Sequence, residues 1–178
     1  MKYIGMPMGL WALFAGSFQK QLTAVLGYDA AEARKITREA KSRYLQIIAR
    51  VPEFEKADRF KTNLVNCAMI GAFILSMPER PQVAPLTEYY AKAMMTKPAR
   101  WAFRQGGKKK FSEQDIAGMQ AAAKRKAADR NPYSWNMDFY EYPDGSGYEG
   151  RFTKCGICTL MKELGLYDLT PALCHLDY

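Results

Sequence analysis

Through the first two thirds of the chain, apolar residues recur every three or four positions, which is the spacing of the buried face of an amphipathic helix. Five helices are predicted, over about 8–26, 29–50, 58–77, 84–104 and 112–129. Gly27 suits the C-cap of the first helix, and Pro98 interrupts or ends the fourth. The third helix is apolar almost throughout and is expected to be buried, with Cys67 as a small core residue.

After Pro132 the apolar and polar positions alternate, which is the pattern of a half-buried β-strand. Glycines in the segment 143–147 suit a turn, and a second alternating segment follows. The two segments predict an antiparallel hairpin. If their apolar faces coincide, the opposite face carries Asn136, Asp138, Arg151, Thr153 and Cys155.

From Gly156 the helical spacing returns and ends at Gly165, and Thr170-Pro171 begins a last short helix. The predicted fold class is therefore α+β: an N-terminal layer of about five helices packed on a small antiparallel sheet, with two short C-terminal helices. We expect a single domain over 1–178. Its helical part covers about 8–130, and the hairpin with the cysteine-containing segment covers about 133–178.

Length and composition exclude several classes of protein. The 178 residues are 48% hydrophobic and 25% charged, which is ordinary for a chain that folds and buries its own core. Four cysteines are too few for a disulfide scaffold, so we expect thiols and a cytoplasmic location. The longest apolar run, 64–77, is too short to span a bilayer, and no signal peptide or membrane association is expected.

The formal charge of +8 is concentrated in the segment 97–130, which holds ten basic and three acidic residues. Such a segment can bind nucleic acid, steer a small anion or form a solvated helix face. The clusters Lys108–Lys110 and Lys124–Lys126 lack interleaved aromatic residues. The pattern therefore favours a solvated face and disfavours nucleic acid as a partner.

The last quarter of the chain concentrates the reactive side chains, because three of the four cysteines and the only histidine lie there. Cys155 falls between a predicted strand and a helix start, where helix amides favour a thiolate. Cys174 and Asp177 share one face of the last helix, whereas His175 points away from both. If the chemistry needs a base, we expect a carboxylate such as Asp177 or Asp138.

Three other interpretations of the cysteines stay open at this point. Cys155-Gly-Ile-Cys158 resembles a thioredoxin-like redox motif, but too little chain follows it to complete that fold. Each cysteine on a helix face can also be an ordinary core residue. No metal or other cofactor is expected; the alternative is zinc, whose ligands would be Cys155, Cys158, Cys174 and either His175 or Asp177.

Three short segments in this region resemble the C-terminal signature of the L-2-amino-thiazoline-4-carboxylic acid hydrolase family. They are Phe152-Thr-Lys-Cys155, Glu163-Leu-Gly165 and Leu173-Cys174-His-Leu-Asp177. Similar proteins continue after this aspartate with a further strand. Because the sequence given stops at Tyr178, either the protein is truncated or this sequence is incomplete, and a missing strand would leave the sheet edge unfinished.

The resemblance implies hydrolytic opening of a small cyclic amidine carboxylate, on a route from 2-aminothiazoline-4-carboxylate to cysteine. The nucleophile would be Cys155 or Cys174, or a water activated by Asp177. Arg151 would bind the substrate carboxylate and Asp138 or Asp177 the amidinium, with Asn136 and Thr153 on the same polar wall. A non-catalytic binding or sensor module for a small ligand is the alternative on the same fold. A homo-oligomer is compatible with the sequence, and a nucleic-acid adaptor ranks last.

Overall fold

The computed structural model describes residues 6–54, 58, 60–107 and 112–175, apart from the side chains of 103, 106 and 107. In this part of the chain the helices are α1 (Pro7–Ala24), α2 (Ala30–Arg50), α3 (Lys61–Ile74), α4 (Val83–Met94), α5 (Lys97–Gly107), α6 (Glu113–Ala127), α7 (Gly156–Glu163) and α8 (Thr170–Cys174). The strands β1 (Asn136–Glu141) and β2 (Tyr148–Lys154) form one antiparallel sheet. The predicted α+β class is confirmed.

The chain divides into two compact units. The helical unit consists of Met1–Thr96 and Ile157–Tyr178, and the hairpin unit consists of Lys97–Gly156. The prediction of a single domain over 1–178 stays a prediction. No helix of the described residues combines the length and the apolar character needed to cross a membrane.

The start of α2 follows directly from its sequence. The Asp29 carboxylate accepts hydrogen bonds from the backbone amides of Ala31 (2.7 Å) and Glu32 (2.8 Å). In return, the Glu32 carboxylate accepts from the Asp29 amide at 2.9 Å, which completes a capping box. Both side chains satisfy backbone groups that a helix start leaves without partners.

Aromatic side chains form the centre of the helical unit. Phe18 of α1 is fully buried and its ring stacks on Phe73 of α3 at 5.0 Å between ring centroids. Its ring meets that of Tyr89 of α4 edge to face at 5.6 Å. Tyr44 of α2 is also fully buried, and its hydroxyl donates to the Pro7 carbonyl at 2.8 Å. Cys67 lies in the same core, as the sequence predicts.

The hairpin unit contains one departure from a regular ladder. Asp138 lies opposite Arg151, as alternating faces require, but the register shifts between Asn136 and Met137. As a result Lys154, rather than Thr153, lies opposite Asn136. The sequence-based prediction of one continuous polar face is therefore wrong beyond Arg151, because a β-bulge adds an unpaired residue to one strand.

The loop between α6 and β1, residues 128–134, is held by two lysines and is called here the Asp129 loop. The Lys126 ammonium donates to the Asp129 carboxylate (2.6 Å) and to the Ser134 hydroxyl (2.7 Å). The Lys154 ammonium donates to the backbone carbonyls of Asp129 (2.9 Å) and Asn131 (2.8 Å). These bonds connect the loop to the end of α6 and the end of β2.

The basic segment 97–130 is not uniformly solvated. Lys126 has only 14% of its side chain exposed, because its ammonium lies in the Asp129 loop. The expected solvated face is therefore wrong at this residue. Lys108–Lys110 lie outside the described residues.

Candidate functional site

A cavity of about 460 Å³ lies in the helical unit, near the C-terminal end of the described chain. Its volume is typical of small-molecule sites. The lining surface is mostly apolar, although the lining residues carry two thiols, two hydroxyls and a carboxylate. The lining residues are Cys158, Tyr167, Asp168, Thr170, Pro171 and Cys174.

The end of α7 explains why residues on both sides of it meet at one cavity. Gly165 adopts a left-handed conformation (φ 70°), and its amide donates to the Lys162 carbonyl at 3.1 Å. The Leu166 amide donates to the Met161 carbonyl at 2.8 Å, which completes a Schellman ending. A single 3₁₀ turn (Tyr167–Leu169) then leads into α8. The reversal brings Cys158 of α7 and Cys174 of α8 to the same cavity.

Buried apolar residues fix this reversal to the helical unit. Met161 is fully buried, and Leu169 and Leu173 are almost so. Contacts between α4 and α8 hold α8 in place. The two cysteines therefore stand on packed helices, which hold a reactive group more precisely than a loop does. All four cysteines of the chain are thiols, and Cys158 and Cys174 are both half-buried.

Thr170 in the cavity wall carries a buried hydroxyl that lacks a hydrogen bond within the described part of the chain. The residue is 6% exposed, and its hydroxyl oxygen has no partner among the described residues. Buried hydroxyls in folded proteins are nearly always hydrogen-bonded. Rotation about χ1 is the movement that would turn this hydroxyl to a different partner.

Arg80 lies beside the cavity, although nothing in the sequence pointed to it. Its guanidinium donates to the Gly165 carbonyl at 3.1 Å and forms an ion pair with Asp168, which lines the cavity. Arg80 belongs to the segment between α3 and α4, far from Asp168 along the chain. No local spacing could have revealed this pair, because it depends on tertiary packing.

Cys155, the first predicted nucleophile, lies between β2 and α7 in the hairpin unit and is half-buried. Gly156 follows it in very close contact with the Asp129 loop. A Cβ at position 156 would lie 1.9 Å from the Tyr133 carbonyl oxygen and 3.1 Å from the Trp135 ring. The strand-to-helix junction therefore requires glycine immediately after Cys155.

The predicted substrate-binding residues all lie in the hairpin unit. Asp138 lines a second cavity, of about 540 Å³, together with Gln120 and Lys124 of α6. Arg151 is exposed, lies 3.5 Å from the Glu149 carboxylate and has its guanidinium carbon 5.9 Å from the centre of the Tyr140 ring. Thr153 is exposed as well, and the half-buried Asn136 has a side-chain oxygen without a partner in the described chain.

The predicted site residues are thus distributed over both units. Within the hairpin unit, the register brings Asp138 and Arg151 opposite each other. Within the helical unit, Cys174 shares its cavity with Cys158, to which the sequence analysis had given only a redox, zinc-ligand or core role. Asp177 lies outside the described residues. The assigned roles of all these residues stay predictions.

The zinc alternative has a geometric requirement that can be examined. A structural zinc site needs about four ligands at bonding distance from one point. Among the described residues, no group of three or more His, Cys, Asp or Glu side chains is arranged so that it could hold a metal ion. Cys158, Cys174 and the exposed His175 all belong to that part of the chain. Zinc binding stays an untested alternative that metal analysis would decide.

The comparisons with known proteins agree with the resemblance drawn from the cysteine-containing segments. The family model described as L-2-amino-thiazoline-4-carboxylic acid hydrolase matches residues 63–178. The match begins within α3 and extends through α8, and so includes the thiol-lined cavity and the hairpin. Neither the curated proteins nor the solved structures contain a match to this chain.

Proposed function

Because the chain belongs to the L-2-amino-thiazoline-4-carboxylic acid hydrolase family, we propose that it hydrolyses the ring of a small cyclic amidine that carries a carboxylate. The observation that carries this proposal is the cavity of the helical unit, where the half-buried thiol of Cys174 meets a mostly apolar wall. A mostly apolar wall excludes water from a bound ring, and a thiolate is an effective nucleophile toward an electron-poor carbon.

The proposed reaction consumes one water. The Cys174 sulfur attacks the amidine carbon and forms a tetrahedral adduct. The bond from this carbon to the ring nitrogen then breaks, and the nitrogen takes a proton. Water adds to the same carbon, and the Cys174 thiolate leaves. The product is a ring-opened carbamoyl compound with a new amine, and the enzyme returns to its starting state.

Cys174 is assigned as the nucleophile because it lines the cavity, and Cys158 on the same wall is the neighbouring thiol. Cys155 is the alternative nucleophile within the same proposal, with the carboxylate of Asp177 as the group that would activate water. The roles of Cys155 and Asp177 come from the family resemblance. Single substitutions of the cysteines separate these versions, because only the attacking thiol is indispensable to a covalent step.

The test is a ring-opening assay of purified protein with 2-aminothiazoline-4-carboxylate, in which the loss of substrate and the appearance of the carbamoyl product are measured. We expect turnover by the unaltered protein and a loss of at least about a hundredfold in kcat for Cys174→Ala. Cys67→Ala is the matched control, because Cys67 is buried in α3 and lines neither cavity. This control should keep its kcat while losing some stability.

Other outcomes decide against parts of the proposal. Full activity of Cys174→Ala with loss of activity in Cys155→Ala would move the nucleophile to the hairpin unit. The non-catalytic binding module would be favoured by a protein that shows no turnover but whose Cys174 is alkylated more slowly when the cyclic amidine is bound. Absence of both turnover and this slower alkylation would reject this substrate class for the cavity.

A further inference from the structure

The ion pair of Arg80 and Asp168 connects two segments of the helical unit beside the thiol-lined cavity. One guanidinium nitrogen of Arg80 donates to the Gly165 carbonyl at 3.1 Å, and the other pairs with the Asp168 carboxylate. Gly165 ends the turn after α7, and Asp168 lies in the 3₁₀ turn that follows. The Arg80 guanidinium is therefore fixed by two partners: a backbone carbonyl and the carboxylate of a residue that lines the cavity.

Stability alone does not account for this pair. The two side chains are 47% and 68% exposed, and ion pairs with such exposure contribute little to stability. The two hydrogen bonds use a minority of the five N–H donors of the guanidinium, and a carboxylate can accept several bonds at once. Both charged groups therefore retain bonding capacity toward a ligand.

The position of the pair indicates where a ligand would meet the two charged groups. Asp168 lines the cavity together with Cys158 and Cys174, and the remaining wall is mostly apolar. Asp168 thus places a negative group on an otherwise mostly apolar lining, and the positive group of Arg80 lies directly next to it. Such an arrangement complements a ligand that carries one charge of each sign. Each charged group of the ligand then exchanges a hydrogen bond to water for one to the protein group of opposite charge.

We propose that Arg80 and Asp168 select a small zwitterion for the thiol-lined cavity, with Arg80 binding the ligand's carboxylate and Asp168 binding its cationic nitrogen. This inference rests on the proposed function, because it assigns the substrate specificity of the same cavity. A cyclic amidine with a ring carboxylate has both charges on one small ring. Arg80 and Asp168 are positioning residues: they orient the ring, and the thiol carries out the reaction.

The chain contains a matched control pair. Glu88 and Lys92 of α4 form an ion pair of 2.6 Å with similar exposure, 57% and 55%, and neither residue lines the cavity. Lys92→Gln therefore removes a comparable surface cation without touching the site. A difference between Arg80→Gln and Lys92→Gln cannot be attributed to net charge or to the general loss of an exposed ion pair.

The test compares 2-aminothiazoline-4-carboxylate with 2-aminothiazoline, which lacks the carboxylate. For the carboxylated substrate, Arg80→Gln should raise KM at least about tenfold with little change in kcat. For the analogue, kcat/KM should be unchanged by Arg80→Gln. Arg80→Lys should recover part of the lost affinity, since it restores the charge without the forked geometry. Asp168→Asn should weaken binding of both compounds, because both carry the cation.

A second readout separates this inference from the proposed reaction. The rate of Cys174 alkylation is measured with and without 2-aminothiazoline-4-carboxylate, which reports binding whether or not turnover occurs. Protection that Arg80→Gln abolishes and Lys92→Gln preserves would support the selection role even if no ring opening is found. Ring opening that Arg80→Gln leaves unaltered would overturn the selection role while the proposed function stands. Equal losses for both compounds in Arg80→Gln would also overturn it, because they indicate a purely structural pair.

Discussion

Two buried hydroxyls, one in each unit, have opposite surroundings. Ser134 in the Asp129 loop is completely buried, and its hydroxyl accepts a hydrogen bond of 2.7 Å from Lys126. Thr170 in the cavity wall is almost as deeply buried, yet its hydroxyl has no partner among the described residues. A satisfied buried hydroxyl contributes modestly to stability, whereas one without a partner costs about 1–3 kcal/mol.

The contrast indicates what each region is for. In the Asp129 loop, lysines, a carboxylate and backbone groups bind one another, so its charged residues are explained by the fold. In the cavity wall, two thiols, a hydroxyl without a described partner and the Asp168 carboxylate border a space large enough for a small molecule. Substitutions in the first region should therefore change stability, and substitutions in the second should change ligand binding.

The largest expected effect tests how firmly the Asp129 loop is fixed. Gly156→Ala places a Cβ 1.9 Å from the Tyr133 carbonyl oxygen, and a backbone atom cannot move away as a flexible side chain can. We expect a loss of about 3 kcal/mol or more in the free energy of unfolding, measured by urea denaturation. Gly150→Ala is the control, since its Cβ would meet only the Met137 sulfur at 3.4 Å.

Gly150→Ala should cost less than about 1 kcal/mol, because a methionine side chain adapts easily. If the two variants lose the same stability, the close approach of Gly156 to Tyr133 does not exist in solution. In that case the Asp129 loop would not fix the junction after Cys155.

An intermediate effect concerns the charge of Asp129. Burial opposes ionisation of this carboxyl, but hydrogen bonds from Lys126, Ser134 and the Asn131 amide, together with the Lys126 charge, outweigh it and lower its pKa from 3.8 to about 2. A carboxylate whose pKa is lower in the folded state stabilises the fold above its unfolded pKa. This contribution is lost as the pH falls from about 4 to about 2.

Asp129→Asn should therefore cost about 1–2 kcal/mol at pH 7, and the difference from the unaltered protein should shrink toward pH 2. Unfolding free energies of both proteins across this pH range measure it. Glu88→Gln, at an exposed pair, should cost no more than about 0.5 kcal/mol at any pH. A cost for Asp129→Asn that is independent of pH would show that the shape of the side chain matters and its charge does not.

Local patterns predicted the elements well because the signals that begin and end them are local. The capping box at Asp29 and the N-cap at Ser112, which accepts from the Asp115 amide at 3.3 Å, both involve residues within one turn. Likewise, the break near Pro98 separates α4 from α5, as proline chemistry requires. The position of the cavity at the C-terminal end of the chain also follows from the spacing around Gly165.

Features that depend on distant residues were missed or misassigned. The bulge beside Asn136 displaces Thr153 from the predicted polar face, and no alternation of residue types reveals such an insertion. Arg80 reaches the cavity through an ion pair with a residue far along the chain. The sequence analysis gave Cys158 only a redox, zinc-ligand or core role, because whether a helical cysteine faces a cavity or the core is decided by the packing of α7 and α8.

The smallest expected change in stability is the sharpest test of the contrast between the two hydroxyls. Thr170→Val keeps the shape of the side chain and removes a hydroxyl that lacks a partner. Its unfolding free energy should therefore stay equal or rise by up to about 1 kcal/mol. Tyr89→Phe removes another such hydroxyl, from the core of the helical unit, and should have the same effect on stability.

Ligand binding should then distinguish these two variants. Thr170→Val should raise KM for 2-aminothiazoline-4-carboxylate, because a polar ligand group loses a partner that the cavity wall supplies, whereas Tyr89→Phe should leave KM unaltered. A combined measurement of unfolding free energy and KM makes the comparison. If Thr170→Val loses about 1 kcal/mol or more of stability and keeps its KM, the hydroxyl has a structural partner, and Thr170 belongs with Ser134 rather than with the site.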